Sequence, residues 1–329
     1  MITRAFFSGL AVLTLTAIQL APGAALAQGK FPERTMRLVV PFAPGGVNDI
    51  IGRRWAQEMS RVLGQNMIVE NRAGASGAIG AMEVVRAKPD GYTLLIANTT
   101  THVLSPLGNP KLGYDPLKDF TALGIITLVP TGVAVHPSMP VKNLKALVAF
   151  AKKNPGQLSF GSAGTGSITH LTGELFKKLN GNLNIVHVPY NGAGPGLADL
   201  VAGHIPMYTP TISPAPLEYH KSGRIRMLAI CSEERLSEVP EVPTAAQAGM
   251  PELVVQAFNA IFLPAGMPRP VVDVLHQANQ KVMANAGMQE FLRKAGAEPV
   301  TTSSPERATQ FIQKELQRWG PIVRETGTE

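Results

Sequence analysis

Four glycine-rich loops gather the hydroxyl, amide and backbone N–H groups of this chain that are able to hold a small anion. The first is Pro41-Phe42-Ala43-Pro44-Gly45-Gly46 followed by Asn48 and Asp49, and the second spans residues 71–77. The third spans residues 161–167, with His170 one turn beyond, and the fourth is Tyr190-Asn191-Gly192-Ala193-Gly194-Pro195-Gly196. Each falls between a stretch that reads as a strand and one that reads as a helix. A helix that starts at such a loop presents unpaired backbone N–H groups and the positive end of its dipole, and glycine lets a ligand approach the backbone closely. The expected contacts are Phe42, Ala43, Gly45, Gly46, Asn48 and Asp49 from the first loop, and Ala75 and Ser76 from the second. Ser162, Ala163, Thr165, Ser167 and His170 come from the third, Tyr190, Asn191 and Gly192 from the fourth. The polar cluster after residue 97 adds Thr99, Thr100 and Thr101. Loops of this kind converging on one cleft bind a carboxylate without any arginine.

Individual residues carry more than one reading. Asp49 either caps the first loop or meets a ligand amine, and Arg72 either pairs with a carboxylate or braces the surface. His170 is near enough to its loop to serve as a donor, whereas His187 and His204 sit beside strands as structural histidines. Asp199, on a helix opened by glycine, reads as structural. No metal-ligand spacing, phosphate-binding G-x-x-x-x-G-K-[ST] or G-x-G-x-x-G run, or G-x-S-x-G elbow occurs, so neither metal nor cofactor is expected. No positioned nucleophile–base pair is apparent in the sequence, and no catalytic residue is assigned.

Elements able to position these loops follow from hydrophobic periodicity. Apolar runs at 36–40, 67–69, 93–97, 132–135, 158–160, 185–188, 205–208 and 225–230 read as strands. Helical spacing begins after each loop, with Ile50, Ile51, Trp55, Met59, Val62 and Leu63 on one face of the first helix. Further helices are expected over 78–87, 144–153, 168–179, 197–202, 271–286, 288–295 and 305–319. Strands alternating with helices predict an α/β fold of two lobes, each a mostly parallel sheet flanked by helices, joined by crossing strands with a cleft between them. The lobes are expected at 28–128 plus 255–329, and at 129–254.

Composition sets the compartment and excludes several partners. Arg4, the apolar run 5–20 and Ala25-Leu26-Ala27 form an export signal with cleavage after Ala27. Cys231 is the only cysteine, so stability must come from burial rather than an intrachain disulfide. The chain carries 30 Lys+Arg against 23 Asp+Glu, yet these are scattered and aromatic residues are few. Nucleic acid is therefore not an expected partner.

The same loops resemble those of a known family, the solute receptors of tripartite tricarboxylate transporters, or Bug family. The matching segments are Pro41-Phe42-Ala43-Pro44-Gly45-Gly46-Val47-Asn48-Asp49, Val69-Glu70-Asn71-Arg72-Ala73-Gly74-Ala75-Ser76-Gly77 and Lys88-Pro89-Asp90-Gly91-Tyr92, followed by 114–120, 161–167 with His170-Leu171, 189–192, 199–203 and 264–268. The resemblance implies a periplasmic two-lobed binding protein that closes on a carboxylate and delivers it to a membrane permease and its small membrane subunit. It further implies that the loops 42–49 and 71–77 grip one carboxylate, while 99–101, 162–167 and 190–192 line the rest of the cleft. Relatives often carry Trp and Gly just ahead of Pro264-Ala265-Gly266, where this chain has Phe258, Asn259 and Ala260. A ligand-sensing subunit and an exported small-molecule hydrolase are the alternative readings.

Overall fold

Short apolar runs alternating with amphipathic segments build two separate mixed sheets in the computed structural model, which describes residues 31–109, 111–190 and 192–325. The expected leader, its cleavage point after Ala27, and Asn191 lie outside the described residues. The chain begins β1 (Met36–Val40), α1 (Val47–Leu63), β2 (Met67–Asn71), α2 (Ala78–Val85), β3 (Thr93–Asn98) and the short α3 (Ser105–Gly108). There follow β4 (Phe120–Pro130), β5 (Gly132–Val135), α4 (Leu144–Lys153), β6 (Ser159–Ser162), α5 (Ile168–Leu179), β7 (Val186–Pro189) and α6 (Ala193–Ala202). Then come β8 (Met207–Tyr208), α7 (Pro214–Lys221), β9 (Arg226–Ile230), β10 (Gln256–Pro264), α8 (Arg269–Ala284), α9 (Ala286–Lys294), β11 (Glu298–Pro299) and α10 (Pro305–Glu325).

The six-stranded sheet has the order β11-β4-β10-β3-β1-β2, and the five-stranded sheet β7-β6-β8-β5-β9. The parallel pairings are those of the strand–loop–helix units, β1 with β2 and β3, and β6 with β7 and β8. Antiparallel pairings come from the long strands β4 and β10, from β11, and from β5 against β8 and β9. Each sheet is therefore mixed, its parallel part being the one expected. The chain leaves the first sheet after β4 and returns to it at β10, so this antiparallel pair carries both crossings.

Packing explains why these segments hold. On one face of the first sheet, Leu38, Val40, Leu94 and Ile96 meet Ile51, Trp55 and Met59 of α1 and Leu275 and Val282 of α8. Trp55 is wholly buried there and donates its indole N–H to Asn279 at 2.8 Å, so the polar edge of the ring is satisfied. The opposite face joins a larger core with Phe258, Phe262, Ile312 and Trp319, continuous with Phe160 and Phe176 under the second sheet. Helix α10 packs on β4 and reaches α5, and it runs through Pro321 beyond the end at 319 that periodicity predicts. Helix α6 begins four residues earlier than expected, because Pro195 falls in the first turn, where no helical N–H is needed.

Candidate functional site

The first two loops are locked together by one carboxylate. Gly46, rather than a side chain, occupies the N-cap of α1, and Ile50 donates its N–H to the Gly46 carbonyl. Asp49, 4% exposed, accepts from the Gly45 N–H at 2.9 Å and from Asn71 Nδ2 at 2.9 Å. Arg53 closes on the same carboxylate, with Nη2 2.9 Å from Oδ1 and Nε donating to Oδ2 at 3.1 Å. Asn71 also donates to the Phe42 carbonyl at 3.0 Å. Burial pushes the Asp49 carboxyl up, but the hydrogen bonds from Arg53, Gly45 and Asn71 and the charge of Arg53 outweigh it and hold the group below its ordinary value. Arg72 turns away into a surface lattice, 3.0 Å from Glu70 and 3.0 Å from Glu83, with Arg37 on the same two carboxylates.

The second loop is strained where it meets the cleft. Gly74, Ala75, Ser76 and Gly77 all have positive φ, at 134°, 46°, 53° and 91°. Two consecutive non-glycine residues in the left-handed region are uncommon, and such strain persists only where the surroundings enforce it. Gly77 lies against Thr101 and the ring of Phe42, and a Cβ at this position would fall 2.4 Å from Thr101 Cγ2. Gly77→Ala should therefore destabilise the fold by about 2–4 kcal/mol, combining left-handed strain with overpacking. Urea melts of the two proteins check this; equal midpoints would show that the loop relaxes freely.

Three adjacent threonines have three different surroundings. Thr99 is buried and its hydroxyl accepts the Phe258 N–H at 2.9 Å, tying β3 to the crossing strand β10. Thr101 is wholly buried and exchanges hydrogen bonds with Asn98, including Thr101 N–H to Asn98 Oδ1 at 3.1 Å. Thr100 stands at the start of a π-helical turn, half-buried, and faces open space.

From the second sheet, the loop after β6 is held by its own hydroxyls. Ser167 caps α5 by accepting the His170 N–H and donates to the Gly164 carbonyl, while the Thr169 hydroxyl accepts the Ala163 N–H. His170 accepts the Gly166 N–H at Nδ1 and lies 3.7 Å from Glu174 through Nε2. Its ring stacks on His187 at 3.9 Å, and His187 in turn stacks on Phe160. Burial pushes both imidazoles down to about 4, with the Lys177 ammonium adding to the effect on His170. Ser162 Oγ lies 2.7 Å from His187 Nε2, a nucleophile–base distance that the spacing of the two residues did not disclose. Ser162 is wholly buried and also engaged by Gly164. Tyr190 donates its hydroxyl to Asp199 at 2.7 Å, and the N–H groups of Tyr190 and Gly192 bind the carbonyls of Ser162 and Ala163.

Two neighbouring cavities lie among these loops and share Thr100. The outer one, about 450 Å³, is lined by Ala75, Ser76 and Thr100 from the first sheet's loops, by Thr165, Gly166 and Ser167 from the second's, and by Ser105, Asn109 and Val323 among others. The inner one, about 160 Å³, has Asn48, Asn98, Thr99 and Thr100 on one side and Val129, Ala257, Phe258 and Asn259 of the crossing strands as its floor. Of the expected contacts, Asn48, Ala75, Ser76, Thr99, Thr100, Thr165 and Ser167 line these spaces. Phe42, Ala43, Gly45, Gly46, Asp49, Thr101, Ser162, Ala163, His170, Tyr190 and Gly192 stand outside both linings. Among the described lining residues there is no lysine, arginine or histidine, and no group of three His, Cys, Asp or Glu placed to hold a metal ion occurs among the described residues.

The chain resembles known proteins along most of its length. The profile of the TctC family, described as "Tripartite tricarboxylate transporter family receptor", matches residues 51–328. The periplasmic binding protein BugD is 31% identical and superposes with a TM-score of 0.74, covering 91% of this chain and 99% of BugD. MatC of Rhodopseudomonas palustris, solved with bound malate, is 33% identical with a TM-score of 0.74, covering 89% of this chain and all of its own. Rpa4515 of R. palustris, solved with adipate, is 34% identical with a TM-score of 0.77, covering 90% and 98% of the two chains.

Proposed function

The chain belongs to the TctC family of tripartite tricarboxylate transporter receptors, and on that premise we propose that it captures a small carboxylate between two closing lobes without transforming it. It is a solute-binding receptor, and its family places it in the periplasm. The observation that carries the proposal is the outer cavity, where the strained Ala75–Gly77 turn and Thr100 meet Thr165 and Ser167 from the other sheet. With the Ser167 hydroxyl committed to Gly164, the hydroxyls of Ser76, Thr100 and Thr165 and the backbone N–H groups of these turns are the donors offered to a carboxylate, and malate and adipate in the relatives' structures are carboxylates. The lobes of the reading are residues 28–128 with 255–329, and residues 129–254. Ligand touching both favours the closed form by population shift. Cleavage after Ala27 and delivery to a permease with a small membrane subunit complete it. The sealed position of Ser162 supports a receptor rather than a hydrolase.

A thermal-shift screen against mono-, di- and tricarboxylates, acidic amino acids, aromatic acids and their amides tests this. A ligand at a hundred times its Kd adds about 2.7 kcal/mol, which raises Tm by roughly 4–5 °C for a chain of this size. No shift with any acid, in folded and ligand-free protein, would overturn the carboxylate reading.

A further inference from the structure

The inner cavity holds an uncommitted hydrogen-bond donor whose direction is fixed by its neighbours. The Thr101 N–H donates to Asn98 Oδ1 at 3.1 Å, so the other end of that amide is Nδ2. Asn98 Nδ2 donates to Asn48 Oδ1 at 3.0 Å, which in turn fixes the Asn48 amide. Asn48 is 7% exposed, and its Nδ2 has no partner among the described residues. A buried donor without an acceptor costs free energy, and a ligand that supplies the acceptor removes that cost. Asn259, the register partner of Asn98 across β10 and β3, also lines this cavity and is 3% exposed. Its Nδ2 is committed to Thr127 Oγ1 at 2.8 Å, which leaves Oδ1 as the atom it offers.

We propose that the inner cavity is the subsite for a neutral carboxamide end of the ligand, so that this receptor takes small monocarboxylates bearing an amide in preference to dicarboxylates. The inference rests on the receptor reading and narrows its ligand class. The ligand amide accepts from Asn48 Nδ2 through its carbonyl and donates to Asn259 Oδ1 through its N–H. Its carboxylate stays in the outer cavity, and the two meet at Thr100, which lines both. A volume of about 160 Å³ suits a compact end group such as a carboxamide with a methylene or two. A second carboxylate there would face Asn259 Oδ1 with nothing to donate and no cationic side chain among the described lining to offset its desolvation.

Calorimetric titration of the ligand-free protein with two matched pairs, succinate against succinamate and adipate against adipamate, tests the assignment. At least one monoamide should bind about tenfold or more tighter than its dicarboxylate, the ratio expected for one satisfied against one unsatisfied buried hydrogen bond. Asn48→Asp keeps the acceptor for Asn98 and replaces the free donor, and should erase that preference; the wild-type comparison stands even if this variant folds poorly. Dicarboxylates binding as well as or better than their monoamides would overturn the subsite and leave the receptor reading intact. If none of the four binds while other acids shift Tm, the amide subsite is likewise overturned. If no acid binds at all, both fall.

Discussion

Acidification from pH 6.5 toward 4 should destabilise the folded protein steeply, by roughly 3–4 kcal/mol per pH unit where two to three protons are taken up on unfolding. Three buried histidines carry the effect. His102 is wholly buried, stacked on Phe262 at 3.9 Å and beside Phe120 and Tyr114, and burial pushes it down to about 3. His170 and His187 are pushed down to about 4, chiefly by burial. The unfolded chain binds these protons near pH 6.5, whereas the folded protein refuses them until its depressed values are reached. Their contribution is therefore fully present above pH 6.5 and is lost progressively as pH falls to between 4 and 3. His187 is half-buried, so water screens part of its penalty and it contributes less than the other two. Glu298 and Glu315, both pushed up by burial, oppose the trend near pH 4.5 without reversing it. Urea melts at pH 7.5, 6.5, 5.5 and 4.5 measure the slope. His102→Leu removes one titrating ring and the buried Nε2 that has no partner among the described residues, so it should cut the slope by about one proton and cost little at pH 7.5. A flat profile above pH 5 would show that these imidazoles are hydrated in solution.

The strand–loop–helix units were legible because each depends on local spacing: a short apolar run, a glycine-rich turn, and an amphipathic helix that buries Trp55 or Phe176. The crossing strands were not. Beyond joining the lobes, β4 and β10 gave no boundary, because long runs buried on both faces lack the alternation that marks a half-buried strand. Their antiparallel pairing is likewise invisible locally, since register across β4 and β10 spans more than 120 residues. The site divides in the same way. Loop membership identified Ala75, Ser76, Thr100, Thr165 and Ser167, but not which adjacent hydroxyl faces open space, as Thr99 and Thr101 are committed to Phe258 and Asn98. The floor residue Asn259 stood out only as part of the departure from relatives at Phe258, Asn259 and Ala260. The Ser162–His187 contact is a diagonal one between neighbouring strands β6 and β7, whose register sets His187 opposite Phe160 and Ser162 opposite Pro189.

Truncating Asp49 should show whether the carboxylate braces the loops or meets the ligand. Asp49→Ala strands the Gly45 N–H and the second hydrogen of Asn71 Nδ2, and it leaves Arg53, itself half-exposed and easily rehydrated, with Asn71 Oδ1 as its remaining partner. Two lost acceptors at about 1–2 kcal/mol each, with little added for the solvent-screened arginine, give a loss of about 2–4 kcal/mol, or roughly 3–6 °C in Tm. Ligand affinity should fall at least about tenfold as well, because Gly45, Asn71 and the Phe42 carbonyl lose their shared anchor and the two loops no longer arrive in fixed register. Asp49→Asn keeps one acceptor oxygen and should fall between the two proteins in both measurements. The pH dependence separates this brace from the histidines: with its value held below the ordinary carboxylate range, Asp49 contributes fully above about pH 4 and loses its share only as pH falls through the depressed value. The histidine slope is spent largely above that point, so Asp49→Ala should shift the whole curve at pH 5–7 by a constant amount rather than change its steepness. Lost binding with an unchanged Tm would make Asp49 a direct ligand contact, the alternative its position in the loop left open. Lowered stability with undiminished affinity would instead place the carboxylate grip wholly on the Ala75–Gly77 turn and the loop after β6.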